Sequence, residues 1–450
     1  MAENEQTAEV AWGPQTQLAI TNFPISGRPV DPRLIRALAR IKAAAASVNG
    51  ALAEVPEVDA AMGRAIASVA NEIADGAFSD QFPVDVFQTG SGTSTNMNMN
   101  EVVATLAARR LERAVHPNDH VNASQSSNDV IPSAIRIAAA AGVVDELIPV
   151  LQRLARVLRR KSREFATVVK AGRTHLMDAT PITLGAEFGA YATQIELDVV
   201  RLAECVPRVC VLPLGGTAVG TGLNAPRQFA PRVIRRLANT TSLPLRTARD
   251  RVARQSAQDE LVELSSHLRT LAVSLMKMAN DVRWMASGPH AGLDEIALPA
   301  LQAGSSIMPG KVNPVLCEVV TQVAVQVFGN DAAVAFAGSQ GSFELNTYLP
   351  VIAHNVLESI TLLTNASREF AERCVNGIVA HEARCREYAE RSPAIAAALN
   401  QRLGYDRVAD AVRAAEREGI TVREVVSQRG WLDARELESL LDVQRLAAPK

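Results

Sequence analysis

Aromatic residues are scarce in this chain, at 4% of 450 residues with only 3 Trp and 4 Tyr. Alanine runs such as Ala43–Ala46 and Ala138–Ala141 recur instead, and that balance leans towards helix. An excess of either charge is missing too: 46 Lys+Arg stand against 48 Asp+Glu, a formal charge of −2. No global field favours nucleic acid or an anionic membrane. Cysteine is limited to Cys205, Cys210, Cys317, Cys374 and Cys385, an odd number without a CxxC pair. That fits a reducing compartment better than a disulfide framework. Long apolar runs are absent as well. The longest uncharged stretch, Val209–Pro226, carries Pro213, Gly215, Gly216, Gly220, Gly222 and Asn224, and reads as a loop. Met1–Glu5 is polar and acidic, so no secretory signal is visible. A cytoplasmic protein is expected.

What the chain does have is apolar spacing. Leu261, Leu264, Leu268, Leu271, Leu275, Met278, Val282 and Met285 alternate by three and four, one seam along one helix. That seam is apolar enough to call for neighbours beyond a single chain, so a homotetramer is expected. Leu184, Phe188, Tyr191, Ile195, Val199 and Leu202 repeat the pattern after Pro181, and Leu147, Leu151, Leu154, Leu158 and Phe165 before it. Val315–Val327 and Ile352–Phe370 supply further helices. The middle of the chain reads as long helices side by side. Strands with βαβ spacing do not appear, which argues against a Rossmann or barrel fold. The boundaries expected are residues 1–130, 131–390 with the long helices, and a small 391–450 region of shorter, more charged helices.

Four segments rich in Gly, Ser, Thr and Asn separate the helices: Thr89–Asn100, His116–Asp129, Gly172–Asp178 and Gly304–Asn313. The last continues to Pro314 as Gly-Ser-Ser-Ile-Met-Pro-Gly-Lys-Val-Asn-Pro. A phosphate loop fails twice here, because five residues separate Gly304 from Gly310 and Val312 follows Lys311. What remains is a Gly-flanked loop with two hydroxyls, a cation and a carboxamide. Such a set can hold a small carboxylate while a hydroxyl acts on the neighbouring carbon. The alternative is a surface turn. His175, in a Gly-led turn, is either a base oriented by a carboxylate such as Asp178 or a structural histidine. Glu318, on the helix after Pro314, is a second candidate carboxylate, with a solvated surface position as the alternative. His116 and His120 stand four apart, but Pro117 breaks a helical face and no further ligand accompanies them, so zinc is not expected. A Gly-x-Ser-x-Gly elbow is absent. Trp431 reads as solvated helix surface.

Taken together these segments strongly resemble the fumarase/aspartase superfamily, and within it the class II (iron-independent) fumarases. The resemblance runs from Trp12-Gly13-Pro14-Gln15-Thr16 to Leu403-Gly404-Tyr405-Asp406. Gly304–Pro314 matches the superfamily's specific loop, which aspartate ammonia-lyases share. His175 within Arg-Thr-His-Leu favours fumarase, since aspartases typically carry Gln there, and Gly215–Gly222 also looks fumarase-like. Asp250–Arg254, Ala303 and Ala186 depart from the fumarase pattern, and Val315 and Glu318-Val319-Val320 are as much aspartase-like.

The resemblance implies an all-α, three-domain fold whose central helices form a twenty-helix core in a homotetramer, each active site drawing on three subunits. It implies a fumarate hydratase taking fumarate and L-malate, with no cofactor, metal, nucleic acid or membrane partner. Ser305 would remove the C3 proton of malate, and His175 with Glu318 would handle the water side. Ser91, Gly92, Thr93, Ser126, Ser127, Asn128, Thr174, Ser306, Lys311, Val312 and Asn313 would line the dicarboxylate site. Arg113, His116, Pro117, Asn118 and Asp119 would form a secondary anion site. An aspartate ammonia-lyase, or a helical scaffold without catalysis, stays open at this point.

Overall fold

Asp31 opens the long helix Pro32–Asn49: its carboxylate accepts from the Arg33 amide, and Pro32 occupies a first-turn position where no donor is needed. Helices built this way dominate the computed structural model, which describes residues 10–302 and 304–448. The expectations placed on Met1–Glu5 and on Ala303 lie outside these residues. The described residues form two compact units. Of the described residues, the first draws on 10–149, 198–272 and 324–364; the second on 150–197, 273–302, 304–323 and 365–448.

Four long helices supply residues to both units: Leu184–Val209, Asp259–Met285, Val315–Gly338 and Leu349–Glu369. The seam from Leu261 to Met285 is buried at every position, at 0–4% exposure. This corrects the expectation that the seam needs neighbours beyond one chain. Periodicity marks the apolar face, and here the chain itself covers it. The uncovered apolar surface lies elsewhere. Along Val315–Gly338 the side chains of Cys317, Val320, Ala324, Val327 and Val334 are buried, while Val325 is 62% exposed and Phe336 65%. By length and composition this helix is apolar enough to cross a membrane, and no other among the described residues is.

Strands are few, and the described residues hold four two-stranded sheets. The largest is an antiparallel hairpin, Val169–Thr174 against Met177–Thr183. It replaces the Gly-led turn expected at Gly172–Asp178. Gly172 is required there, since a Cβ would sit 2.5 Å from the Thr180 carbonyl oxygen. The segment Thr89–Asn100 is likewise only half loop, because a helix begins at Thr93 and runs to Leu111.

The C-terminal residues build a small core from Ile395, Leu399, Val408, Ala411, Val422, Val426, Leu437 and Leu441, which Ala389 and Val169 of the hairpin join. Trp431 packs against this core. Its ring lies under the guanidinium groups of Arg429 at 4.9 Å and Arg407 at 6.0 Å. That corrects the reading of Trp431 as solvated helix surface.

Candidate active site

In the first unit, Ser126 caps the helix Ser127–Ala141 through a capping box. Its hydroxyl accepts from the Asn128 amide at 3.2 Å, and Asp129 accepts from the Ser126 amide at 2.9 Å. The other Asp129 oxygen accepts from the Gly215 and Thr217 amides at 2.8 and 3.0 Å. Asp129 is fully buried, and burial pushes its carboxyl up to about 6 against the pull of these amides. Asn128 extends the link by donating to the Ala218 carbonyl at 2.8 Å. The Gly215–Gly222 loop is thus fastened to the helix N-terminus. Asn96, one turn into the helix that Thr93 opens, donates to the Ser127 hydroxyl at 3.0 Å. Ser91 and Thr93 share a hydrogen bond of 2.8 Å beside Gly92, which stands at φ 72°. The two donor-rich segments are therefore one cluster. Beneath it lies Lys42, which burial pushes down to about 7 despite the nearby Asp129 carboxylate.

In the second unit, Thr174 ends the first hairpin strand, and His175 and Leu176 form the turn. Both turn residues lie in the left-handed region, at φ 58° and 60°. Two such residues make the primed turn that matches the twist of paired strands. Thr174 and His175 are exposed at the tip. The base is rigid by contrast. Arg173 donates to both oxygens of fully buried Glu295 at 2.9 and 3.0 Å, and buried Lys170 bonds Glu187 at 2.8 Å. Burial raises the Glu187 carboxyl above its ordinary range while Lys170 opposes the shift. Asp178 pairs in register with Arg173 and makes no hydrogen bond to His175.

The Gly304–Pro314 loop belongs to the same unit. Ser305 Oγ accepts from the Ile307 and Met308 amides, both at 3.2 Å. Asn313 Nδ2 donates to the Gly304 carbonyl at 2.7 Å. Ser306 is exposed. Lys311, Val312, Asn313 and Glu318 line a cavity of about 890 Å³ with Arg283, Trp284, Asp294 and His381. Glu318 sits in the first turn of the helix that follows. Among the described residues no hydrogen bond joins His175 to Glu318, and His175 does not line this cavity.

The expected secondary anion site forms a single turn in the first unit. Arg113 is engaged by Asp59 at 2.6 Å. His116 Nδ1 faces the Asp119 amide at 3.1 Å and its carboxylate at 3.0 Å, and His120 Nδ1 accepts from the His116 amide. Asn118 lies between them after Pro117, which opens the turn. The described residues hold one set with metal-ligand spacing, Cys205, Glu263 and His267, and Arg208 already forks onto Glu263.

Sequence reasoning missed Lys42 and Glu295, and placed Asn96 and Asp129 in donor-rich segments without giving either a role of its own. Asp129 has a local signal, as the fourth residue of a Ser-x-x-Asp cap. The others are revealed only by contacts distant in sequence.

Comparison with known proteins shows the family. The Lyase family profile matches residues 2–329, and that of the Fumarase C C-terminus residues 395–448. The class II fumarate hydratase of Mycobacterium tuberculosis is 53% identical over 99% of this chain and 94% of its own length. That of Corynebacterium glutamicum is 51% identical over 99% and 95%. Among solved structures, a class II fumarase from Schistosoma mansoni superposes with a TM-score of 0.95 at 35% identity, covering 98% of this chain and 96% of that one. A Brucella melitensis protein described as fumarate lyase:delta crystallin, bound to cobalt, gives 0.93 at 44% identity over 98% and 96%. Matched over most of its length by the lyase profile and over nearly all of it by these relatives, the chain belongs to the class II fumarate hydratases of the lyase family.

Proposed function

We propose that this chain interconverts fumarate and L-malate through a carbanion, with Ser305 and His175 on opposite sides of the reacting bond. Ser305, as its alkoxide, takes the C3 proton of malate. The electron pair moves into the adjacent carboxylate as a dianionic aci-carboxylate. The C2–O bond then breaks, and the hydroxyl leaves as water with a proton from the His175 side, where Glu318 orients the exchange. Lys311, Asn313 and Asn128 concentrate donors on the developing charge, worth several kcal/mol in a water-poor site. The remaining donors, from Ser91 to Thr93 and Ser126 to Ser127 with Thr174, Ser306 and Val312, hold the two carboxylates.

The observation that carries this reading is the pair of amides on Ser305 Oγ. A free serine hydroxyl is too weak a base at neutral pH. Two N–H groups aimed at its oxygen favour the alkoxide, and Lys311 adds a cation six residues on.

Assembly completes the site in this reading. A homotetramer in which each site draws on three subunits joins the His175 hairpin of one copy to the Glu318 helix of another. The exposed Val325 and Phe336 side chains are the support for such contacts. The chain is organised as residues 1–130, 131–390 and 391–450, the last supported by a small core built mostly from its own side chains. Arg113 and His116–Asp119 hold a second anion near the entrance. The protein works in the cytoplasm, in keeping with five free cysteines.

The test is direct. Purified protein with EDTA is given L-malate or L-aspartate, and fumarate is followed by its absorbance. Fumarate from malate alone is expected; fumarate from aspartate alone makes the chain an ammonia-lyase, and none from either leaves a scaffold.

A further inference from the structure

The helix Pro32–Asn49 presents two polar side chains, Lys42 and Asn49, to the turn that leads into Ser126. They stand seven residues apart, two helical turns, and so lie on one face. Both are fully buried. Lys42 Nζ donates to Asn122 Oδ1 at 2.8 Å and to Gln125 Oε1 at 3.1 Å. Asn49 donates to the Ala123 carbonyl at 2.9 Å and accepts from the Ser124 hydroxyl at 3.3 Å. Ser124 takes φ 63°, a conformation few serines adopt without such restraint. The turn is clasped by the helix beneath it.

The clasp continues outward with a fixed direction. Asn122 Oδ1 accepts from Lys42 and also from Asn96 Nδ2, at 3.3 Å. The same Asn96 amide group donates to Ser127 Oγ at 3.0 Å. Asn96 is 1% exposed, and its amide nitrogen makes both of these bonds. Because the Ser127 oxygen already accepts a hydrogen, its own O–H is left to donate to a ligand. Lys42 Nζ has hydrogens enough to donate both of its bonds whether or not it is charged, so it sets the sense of every bond in the series.

We propose that Lys42 is a positioning residue for the dicarboxylate site, acting through Asn122 and Asn96 to turn the Ser127 hydroxyl towards a substrate carboxylate. This rests on the reading of Ser126, Ser127 and Asn128 as carboxylate donors. A carboxylate held equally in ground and transition states contributes to binding and not to turnover. The signature of Lys42 is therefore KM without kcat.

Lys42→Met, Lys42→Gln, Asn96→Leu and Asn128→Ala are compared in the intact enzyme. KM for L-malate, kcat and competitive inhibition by succinate, a dicarboxylate that does not react, are measured, with thermal midpoints. Lys42→Met is expected to raise KM and the succinate inhibition constant together, by roughly tenfold, with kcat within about threefold. Lys42→Gln, which keeps a donor, recovers part of the loss. Unchanged KM and inhibition constant in Lys42→Met, while Asn128→Ala raises both, overturn the proposal. No effect of Asn128→Ala overturns the underlying site reading instead. Should Lys42→Met not fold, Asn96→Leu decides, since it cuts the series one link nearer Ser127: an unaltered KM there overturns the proposal.

Discussion

Asn313 Nδ2 reaches back nine residues to the Gly304 carbonyl at 2.7 Å, closing the neck of the loop that carries both Ser305 and Lys311. The other side of the neck is just as tight. A Cβ at Gly304 would lie 2.0 Å from the Lys311 carbonyl oxygen, which is backbone and cannot swing away. The neck sets the separation between the base and the cation.

Gly304→Ala is accordingly expected to spread the neck and displace Ser305 from its amides. A shift of about 1 Å costs about 10²-fold in catalysis. The loop is exposed and bears little of the core, so the thermal midpoint should not move. Steady-state kinetics beside a melting curve test this. Wild-type kcat/KM in Gly304→Ala means that the neck does not position the reaction.

Ser305 and Ser306 separate chemistry from binding. Ser305→Ala removes the oxygen that receives the Ile307 and Met308 amides, and kcat is expected to fall by roughly 10²–10⁴-fold. Ser306→Ala removes at most one carboxylate hydrogen bond, about 1.5–3 kcal/mol, and appears mainly in KM. Equal effects from the two variants take Ser305 out of the mechanism.

Glu295 anchors the hairpin base. Its carboxylate is fully buried between Arg173 and Lys170, the latter 3.5 Å away. Glu295→Ala leaves two cations facing a cavity with only Glu187 to share. Breaking a buried pair from one side costs about 3–5 kcal/mol. Urea unfolding should show that loss, and activity should fall with it as Thr174 and His175 lose their support. A loss under 1 kcal/mol, with full activity, would falsify the anchoring role.

The sequence is legible where periodicity is local. The Asp259–Met285 helix follows from spacing alone, and so do the helices around Pro181. Spacing says which face is apolar but not what covers it, which is why the Leu261–Met285 seam reads as a subunit contact and is found buried within the chain. The hairpin at His175 is hidden for a different reason. Its turn residues are His and Leu, with no Gly or Asn to announce left-handed backbone. The loop at Gly304–Pro314 is recognisable because its special residues are contiguous. The Asp129 staple to Gly215 spans 86 residues, and nothing in a linear pattern joins the two.

Assembly is tested on the face left uncovered. Phe336 and Val325 are exposed on an otherwise apolar helix. If they meet another copy, Phe336→Arg and Val325→Glu each place an unpaired charge in a dry contact at a cost of several kcal/mol. Light scattering should show smaller species, and activity should disappear in the same fractions. A variant that runs as a fully active monomer shows that one chain holds a whole site.

His175→Asn isolates the imidazole from the turn that carries it. At φ 58° most replacements would strain the hairpin, but Asn tolerates the left-handed region nearly as well as Gly. The register from Val169–Thr183 to Thr174–Met177 should therefore survive, and the melting curve with it. What disappears is the imidazole proposed to exchange the proton on the water side. Turnover of malate is expected to fall by roughly 10²–10⁴-fold, in kcat more than in KM. His116→Asn is the control, because His116 Nδ1 accepts from the Asp119 amide of its own turn and the residue has no part in the proposed proton steps. Its effect should stay within a few-fold. A stable His175→Asn enzyme with wild-type turnover makes the tip of the hairpin structural, and the proton on the water side must then come from another residue. A loss in His116→Asn equal to that of His175→Asn assigns the chemistry to the wrong anion site.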